Sequence, residues 1–198
     1  LPGDLDHVFF SDSGSVAVEV AMKMALQYWI NKGQPDKRRF LSFHGGYHGD
    51  TLGATSVAGE GPFRDPYRPL LVDHLRVPNA YRYRCQQCSA MSRCDLSCVD
   101  PLGDLLENRA SEIAAVIVEP RVQGAAGVIV APEGHLAKIR RLCDRFDVLL
   151  IADEVATGFG KTGAMFACDL EAVTPDIMVL GKGITGGYLP LSATLVTN

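Results

Sequence analysis

Short segments made almost wholly of apolar residues recur along the chain, and segments of helical periodicity separate them. Residues 114–118 read AAVIV and residues 148–152 read VLLIA, without a polar residue in either segment. A strand that lacks a polar face belongs to a sheet covered on both sides. Because such strands alternate with helices, the chain is predicted to form an α/β fold with a mostly parallel sheet flanked by helices.

The predicted elements cover most of the chain. Strands are expected at residues 8–11, 39–43, 114–118, 148–152, 177–180 and 191–196, and helices at residues 16–30 and 132–146. Segment 59–99 is rich in Pro, Arg, Tyr and Cys and shows little periodicity. It is therefore predicted to be an irregular, Cys-containing excursion from the sheet and not a separate domain.

Composition and charge narrow the classes of function. With 47% hydrophobic residues, 21% charged residues and a net charge of −4, the chain has the composition of a globular protein. The slightly acidic balance argues against nucleic acid and membrane surfaces as partners, and no apolar run approaches a membrane span. The six cysteines do not resemble the disulfide framework of a small secreted fold, which favours a cytoplasmic location. Both ends of the sequence look cut, so we expect a fragment.

Lys182 is the first candidate for catalysis. It follows the apolar run 177–180 and lies between Gly181 and Gly183, so we expect it to be desolvated at the end of a buried strand. Desolvation lowers the pKa of an amine and makes it nucleophilic, and such a lysine can form a Schiff base with an aldehyde cofactor. Most lysines are solvated surface charges, so this residue by itself does not define a site.

Asp153 is the second candidate for catalysis, and together with Lys182 it indicates a cofactor. It ends the apolar run 148–152 and so lies at the end of a second predicted strand. An acid and a lysine at two strand ends fit pyridoxal phosphate, whose aldehyde binds the lysine and whose ring nitrogen is kept protonated by the acid. The sequence therefore predicts Lys182 and Asp153 as a catalytic pair with this cofactor.

A phosphate site is expected at the start of the first helix. Residues 11–15 read SDSGS and join a predicted strand to that helix. Helix N-termini attract anions through their backbone N–H groups and the helix dipole, which makes Gly14 and Ser15 candidates for a phosphate cup. Simple capping of the helix by Ser13 or Ser15 is the more common use of such residues.

Tyr47 is a candidate platform for a flat ligand. It lies in HGGYHG, residues 44–49, where the glycines leave room against its ring. A metal held by His44 and His48 is disfavoured because no third ligand is near them in the sequence.

Glu119 follows the run 114–118 directly. A polar exit from a strand is common, but this one shares the carboxyl edge of the sheet with the catalytic pair, where open α/β sheets bind ligands. Glu119 is therefore a candidate ligand contact.

Four of the cysteines, Cys85, Cys88, Cys94 and Cys98, lie within the irregular segment. Thiols at this spacing fit a structural zinc ion or an iron–sulfur cluster that would tie the segment down. Reduced thiols and two disulfides are the alternatives. No catalytic role is expected for this metal.

Together these segments resemble the class III, fold type I, pyridoxal-phosphate aminotransferases. The resemblance extends along the whole sequence. Its most specific motifs are FSDSGS at 10–15, GYHGDT at 46–51, VQGA at 122–125, DEVATGFG at 153–160 and GKGITGGYL at 181–189.

The resemblance implies roles for the candidate residues. The full candidate cofactor-binding set is Gly14, Ser15, Tyr47, Glu119, Asp153, Val155 and Lys182. Lys182 would bind the aldehyde of pyridoxal phosphate and then move a proton, and Asp153 would pair with the pyridine nitrogen. The two residues at the helix start would hold the phosphate, and Tyr47 and Val155 would press on the two faces of the ring.

Two details bear on the subgroup. Ornithine- and GABA-type members usually carry an acid soon after the Gln-Gly pair, where this chain has Ala125 and Ala126. The stretch 185–189 is similar to the group that acts in biotin synthesis. That likeness implies amino transfer to 8-amino-7-oxononanoate, with S-adenosylmethionine or lysine as donor. Lys161 departs from the family, which commonly has arginine there; a lysine keeps the positive charge but lacks the planar fork of arginine.

The resemblance also implies how the chain is organised and what it binds. Residues 1–198 would be the cofactor-binding large domain, without the family's N-terminal segment and C-terminal small domain. The family acts as a homodimer on a small-molecule amino donor and keto acceptor.

Three alternative functions stay open at this point. One is a class III transaminase for a diamine or ω-amino acid with pyruvate, and another is a non-catalytic, metal-stabilised binding protein on the same fold. A nucleotide hydrolase ranks last, because its phosphate loop requires a glycine where the chain has Val155.

Overall fold

The structure, a computed structural model, describes residues 1–85 and 94–197. Its strands are β1 (His7–Ser11), β2 (Arg39–Phe43), β3 (Leu75–Val77), β4 (Ile113–Val118), β5 (Val122–Gln123), β6 (Ile129–Val130), β7 (Leu149–Asp153), β8 (Ile177–Leu180) and β9 (Ser192–Val196). Its α-helices are α1 (Gly14–Asn31), α2 (Leu52–Val57), α3 (Asp100–Arg109) and α4 (His135–Arg145). Short 3₁₀ turns cover Asp65–Leu70, Arg82–Arg84, Ser97–Val99, Ala110–Glu112, Ala167–Glu171 and Lys182–Ile184.

The main sheet has the strand order β1-β9-β8-β7-β4-β2-β3. From β8 to β3 every neighbouring pair is parallel. Strand β9 runs antiparallel to both of its neighbours, β8 and β1. Strands β5 and β6 form a separate small hairpin. The predicted α/β fold with a mostly parallel sheet is confirmed.

Helices cover both faces of the sheet, as the all-apolar strands require. Helix α1 packs on one face, where its buried residues meet Ile151 and Val179. Helices α3 and α4 pack on the other face, where they meet Leu150 and Met178. Successive residues of one strand thus point to opposite layers, and all six residues of β4 are buried between the two layers.

Segment 59–99 is not wholly outside the sheet, which corrects one expectation. Leu75–Val77 pairs with β2 in parallel and forms an edge of the sheet. This strand has three residues, and Arg76 interrupts its apolar pattern, so periodicity gives no signal for it. Arg76 is nevertheless accommodated, because its guanidinium donates hydrogen bonds to the backbone carbonyls of Ser56, Ala58 and His74.

The start of α1 is fixed by its own cap and by β9. The Ser13 hydroxyl accepts a hydrogen bond from the Val16 N–H at 3.3 Å, so α1 begins at Gly14 and not at residue 16. From β9, the Ser192 hydroxyl donates to the Ser13 carbonyl at 2.7 Å, and the Thr194 hydroxyl donates to the Ala17 carbonyl at 2.8 Å. The last strand therefore positions the first turn of the helix.

Among the described residues, no helix combines the length and apolar character that crossing a membrane requires.

Candidate active site

The loops that follow the parallel strands meet at the carboxyl edge of the sheet, next to the N-terminus of α1. They enclose a cavity of about 340 Å³. All seven residues of the candidate cofactor-binding set line it: Gly14, Ser15, Tyr47, Glu119, Asp153, Val155 and Lys182. The remaining lining residues are His48, Gly49, Gly124, Ala125 and Ala156. A larger cavity of about 930 Å³ is lined by none of the candidate set, so it does not compete for this chemistry.

Asp153 ends β7 with a buried carboxylate that has two hydrogen-bond donors. One oxygen lies 2.7 Å from Nδ1 of His48, and the other accepts from the Val155 N–H at 3.1 Å. Burial by itself would lower the pKa of His48, but the hydrogen bond and charge of Asp153 outweigh it, so the pKa is raised. A protonated His48 places a positive charge directly beside the Asp153 carboxylate.

Glu119 joins two of the loops that line the cavity. One carboxylate oxygen accepts from the Tyr47 N–H at 3.0 Å and the other accepts from the Gly124 N–H at 2.9 Å. Burial raises the pKa of this carboxyl, and the charge of His48 and the two backbone donors oppose that effect. In this structure Glu119 holds the walls of the cavity together.

The first turn of α1 presents donors to the cavity. Helix geometry gives the N–H groups of Gly14 and Ser15 no carbonyl partner within their own helix. The Ser15 hydroxyl oxygen accepts from the Asp50 N–H at 3.1 Å, which leaves its own proton available for donation. Since Ser13 does the capping, this end of the helix can both be capped and bind an anion.

Gly14 is required by close packing at this point. A Cβ atom on Gly14 would lie 2.8 Å from Cγ1 of Val155, a distance that real Cβ contacts do not show. The same methyl group of Val155 would lie 3.1 Å from a Cβ atom on Gly181. Val155 therefore sits between the helix start and the loop that carries Lys182.

Tyr47 has a fixed ring on the cavity wall. Its hydroxyl donates to a carboxylate oxygen of Asp50 at 2.8 Å, and its ring meets the ring of Phe63 edge-on at a centroid distance of 5.4 Å. Burial, followed by the hydrogen bond to Asp50, raises the pKa of the Tyr47 phenol to about 12. The phenol therefore stays protonated at neutral pH.

Lys182 lies at the cavity, but not in the environment that we expected. Strand β8 ends at Leu180, and Lys182 begins a 3₁₀ turn in which its side chain is exposed. The expected desolvation by a buried strand end is therefore wrong for this chain. The turn begins two residues after the strand ends, and Lys182 is one of the residues that line the cavity.

Sequence reasoning missed the importance of His48, which it had weighed only as a metal ligand. Its partner Asp153 is distant in sequence, and no local pattern connects the two. A hint was available, since His48 follows Tyr47 in the loop assigned to the cofactor. Histidine is a common partner of buried carboxylates when both are removed from water.

The predicted metal site receives no support from the part of the chain that can be described. Within residues 1–85 and 94–197, no three His, Cys, Asp or Glu side chains come together as metal ligands. Cys85, Cys94 and Cys98 belong to that part, whereas Cys88 lies outside the described residues.

The fold and the cavity define a class of protein. The family model for class III aminotransferases matches residues 1–198, and the chain belongs to that family. The class III fold implies pyridoxal phosphate as the cofactor.

Several relatives of the chain carry the name of one particular aminotransferase. The chain is 54% identical, over 99% of its length, to the adenosylmethionine-8-amino-7-oxononanoate aminotransferase of Geobacter sulfurreducens, and covers 44% of that protein. It is 50% identical to the protein of the same name from Nitratidesulfovibrio vulgaris, over 99% of the chain and 36% of the relative. The chain therefore spans less than half the length of these relatives.

Solved structures agree with the fold. The crystal structure of adenosylmethionine-8-amino-7-oxononanoate aminotransferase from Methanocaldococcus jannaschii matches with a TM-score of 0.89 at 42% identity, over 100% of this chain and 43% of that one. A PLP-bound amine transaminase from an uncultivated Pseudomonas species matches with a TM-score of 0.90 at 45% identity, over 97% and 44% of the two chains.

Proposed function

We propose that the protein is an aminotransferase that uses pyridoxal phosphate in the cavity beside Lys182. The observation that carries the proposal is the convergence of an amine, a buried acid and a helix N-terminus around one cavity. Cofactor pockets begin at about 300 Å³, so the volume of this cavity suffices.

The residues present fit the phosphate end of that cofactor. Gly14 has no room for a side chain because Val155 packs against it, so the backbone N–H groups of the helix start stay accessible. The Ser15 hydroxyl oxygen accepts from the Asp50 N–H, and its proton can be donated to a phosphate oxygen. These donors, together with the dipole of an 18-residue helix, would hold the phosphate.

The residues also fit the ring nitrogen and the aldehyde. The buried carboxylate of Asp153 would face the pyridine nitrogen, and the hydrogen bond from His48 would hold that carboxylate in place. Lys182 is the one lysine among the lining residues and would hold the aldehyde. Tyr47 and Val155 would press on the two faces of the ring.

When bound, pyridoxal phosphate supplies an electron sink that stabilises negative charge on the carbon bearing the amino group. Asp153 contributes a fixed negative charge, which favours a protonated nitrogen opposite it. Nζ of Lys182 would accept and then return the proton that amino transfer moves, as a general acid–base group does. Glu119 would hold the wall formed by Tyr47 and Gly124 in place while this happens.

We further propose 8-amino-7-oxononanoate as the amino acceptor, with S-adenosylmethionine or lysine as donor. The support is the identity along nearly the whole chain to relatives that carry this activity in their names. Ornithine- and GABA-type members usually carry an acid soon after the Gln-Gly pair, and the presence of Ala125 and Ala126 there is consistent with this choice.

A class III transaminase for a diamine or ω-amino acid with pyruvate is the second candidate. The observation in its favour is the structural match to an amine transaminase, which is as good as the match to the biotin-pathway enzyme. Both candidate activities would use the same cavity residues to bind the cofactor. The two candidates therefore differ only in the substrates that they use.

The test is made on the full-length protein with pyridoxal phosphate. A visible absorbance band of the bound cofactor is expected, and either S-adenosylmethionine or lysine should abolish it. Adding 8-amino-7-oxononanoate should then restore the band. Restoration by pyruvate alone would favour the second candidate, and failure to form any band would contradict the assignment of Lys182.

We propose residues 1–198 as the cofactor-binding large domain, with substrate-binding groups supplied from outside this range and from the second subunit of a homodimer. The small share of each relative that the chain covers supports this division.

Two further predictions stay predictions: the cytoplasmic location, and the structural metal at Cys85, Cys88, Cys94 and Cys98. Elemental analysis of the purified protein for zinc and iron tests the metal, and absence of both would refute it.

A further inference from the structure

The backbone of Lys182 has an unusual conformation for a residue with a side chain. Its φ angle is +36°, in the left-handed region that such residues rarely adopt. Glycine flanks it on both sides, yet the positive angle falls on the lysine. Backbone strain of this kind persists where the surrounding structure enforces it. A neighbouring group must therefore hold the turn in this shape.

One segment, residues 154–168, supplies contacts on both sides of Lys182. A Cβ atom on Gly181 would lie 3.1 Å from Cγ1 of Val155, and a Cβ atom on Gly183 would lie 2.8 Å from Cδ2 of Phe159. Two side chains of this segment thus occupy the space that a side chain before or after the lysine would need.

Glu154 gives that segment its shape. Its side chain is fully buried, and its carboxylate accepts hydrogen bonds from the Thr157 hydroxyl and from the Cys168 N–H. It therefore ties the start of the segment to its end. The ring of Phe166 supports that of Phe159 at a centroid distance of 5.8 Å. Phe159 is thus held from behind while it contacts Gly183.

We propose that Phe159 is a positioning residue for Lys182, an inference that rests on the proposed role of Lys182 as the cofactor-binding amine. By packing against Gly183, Phe159 prevents the turn from relaxing to a negative φ angle at Lys182. A change in the sign of φ redirects the Cα–Cβ bond. Relaxation would therefore turn the amine away from the cavity that it lines with Asp153.

The test compares Phe159→Ala with Met165→Ala in the full-length protein. Met165 is a large apolar residue of the same segment and is 60% exposed, which makes it a matched control. After pyridoxal phosphate is added to cofactor-free protein, Phe159→Ala is expected to form the visible band at least tenfold more slowly. It should also shift the pH at which the band changes, whereas Met165→Ala should leave both unchanged.

A double substitution separates this contact from general packing. Gly183→Ala adds a methyl group at the position that Phe159 now crowds, so it should impair band formation in the natural protein. Phe159→Gly is the background for this comparison, because alanine would keep the Cβ atom of residue 159, which lies 2.9 Å from the added methyl group. In the Phe159→Gly background the space is free, and the same change should impair band formation much less. Such non-additivity is the signature of two groups in contact. Additive effects would overturn the proposal.

The positioning role can also be tested in protein that contains no cofactor. Phe159→Ala should change the rate at which an acetylating reagent modifies Lys182 in the cofactor-free protein, as measured by peptide mass spectrometry. Phe159→Leu, which retains bulk, should restore part of the natural rate. If the unaltered protein forms no band, the proposed function fails. If it forms the band and Phe159→Ala behaves like Met165→Ala, only the positioning role fails.

Discussion

Replacing His48 by phenylalanine tests whether a charged histidine supports Asp153. The two side chains are 1% and 5% exposed, with Nδ1 of His48 2.7 Å from the carboxylate. Hydrogen bonds to charged groups contribute about 1.5–3 kcal/mol, and removing one partner of a buried pair costs about 3–5 kcal/mol. Phenylalanine preserves most of the ring volume, so the cavity contribution is small. We expect His48→Phe to lower the free energy of unfolding by about 2–4 kcal/mol at pH 6.

The effect should depend on pH with a definite sign. Because Asp153 raises the pKa of His48 in the folded state, protonated His48 stabilises the fold fully below its unfolded pKa of about 6.5. That stability is lost as the pH rises through the folded pKa. The difference between the natural protein and His48→Phe should therefore shrink above pH 6.5, by at most about 1.4 kcal/mol per pH unit.

Urea unfolding of the full-length, cofactor-free protein between pH 5 and pH 9 measures this difference. His135→Phe is the matched control, because burial alone lowers the pKa of His135 to about 4. The difference in unfolding free energy between the natural protein and His135→Phe should be constant above pH 7. Below pH 6.5 it should change in the direction that disfavours the natural protein, because the unfolded chain binds a proton at His135 that the folded protein does not bind. A difference for His48→Phe that stays constant from pH 6 to pH 9 would refute the reasoning.

Three further predictions follow from single contacts. Lys182→Ala should abolish the visible cofactor band and turnover while leaving the protein folded by circular dichroism. Gly14→Ala places a methyl group against Val155, and since such overpacking costs about 1–3 kcal/mol, cofactor affinity in an absorbance titration should fall by roughly tenfold. Trp29→Phe removes the indole N–H that donates to the Ala114 carbonyl at 2.8 Å, and urea unfolding should show a loss of about 1–3 kcal/mol.

Most of the main sheet is predictable because its strands are short and apolar. Periodicity and composition find β4 and β7 since burial on both faces leaves no polar alternation to interpret. They do not find β3, where three residues with a central arginine acquire strand geometry only by pairing with β2. They also miss that β9 runs antiparallel, because strand direction depends on the connection between strands and not on the residues of the strand.

The sequence predicted which strand ends form the candidate site, but it did not predict the hydrogen bonds between their side chains. The sequence motifs predicted that four residues lie at the carboxyl edge of the sheet, and all four line one cavity: Gly14, Tyr47, Asp153 and Lys182. The bond between His48 and Asp153 joins residues far apart in sequence, so it follows from the fold alone. The exposure of Lys182 was predicted wrongly, because it depends on where β8 stops and on a positive φ angle that no local pattern reveals.

The pairing of β1 with β9 has a consequence for how the protein is made. Among the residues that the structure describes, β1 pairs with β9 alone, and Ser192 and Thr194 of β9 also donate hydrogen bonds to the first turns of α1. During synthesis, the helix start that would hold the phosphate is made well before the strand that docks it. Contacts of such long sequence separation form slowly. Nascent chains arrested before residue 192 should therefore have an unanchored α1 and should be unable to retain the cofactor, however complete the other loops of the site are.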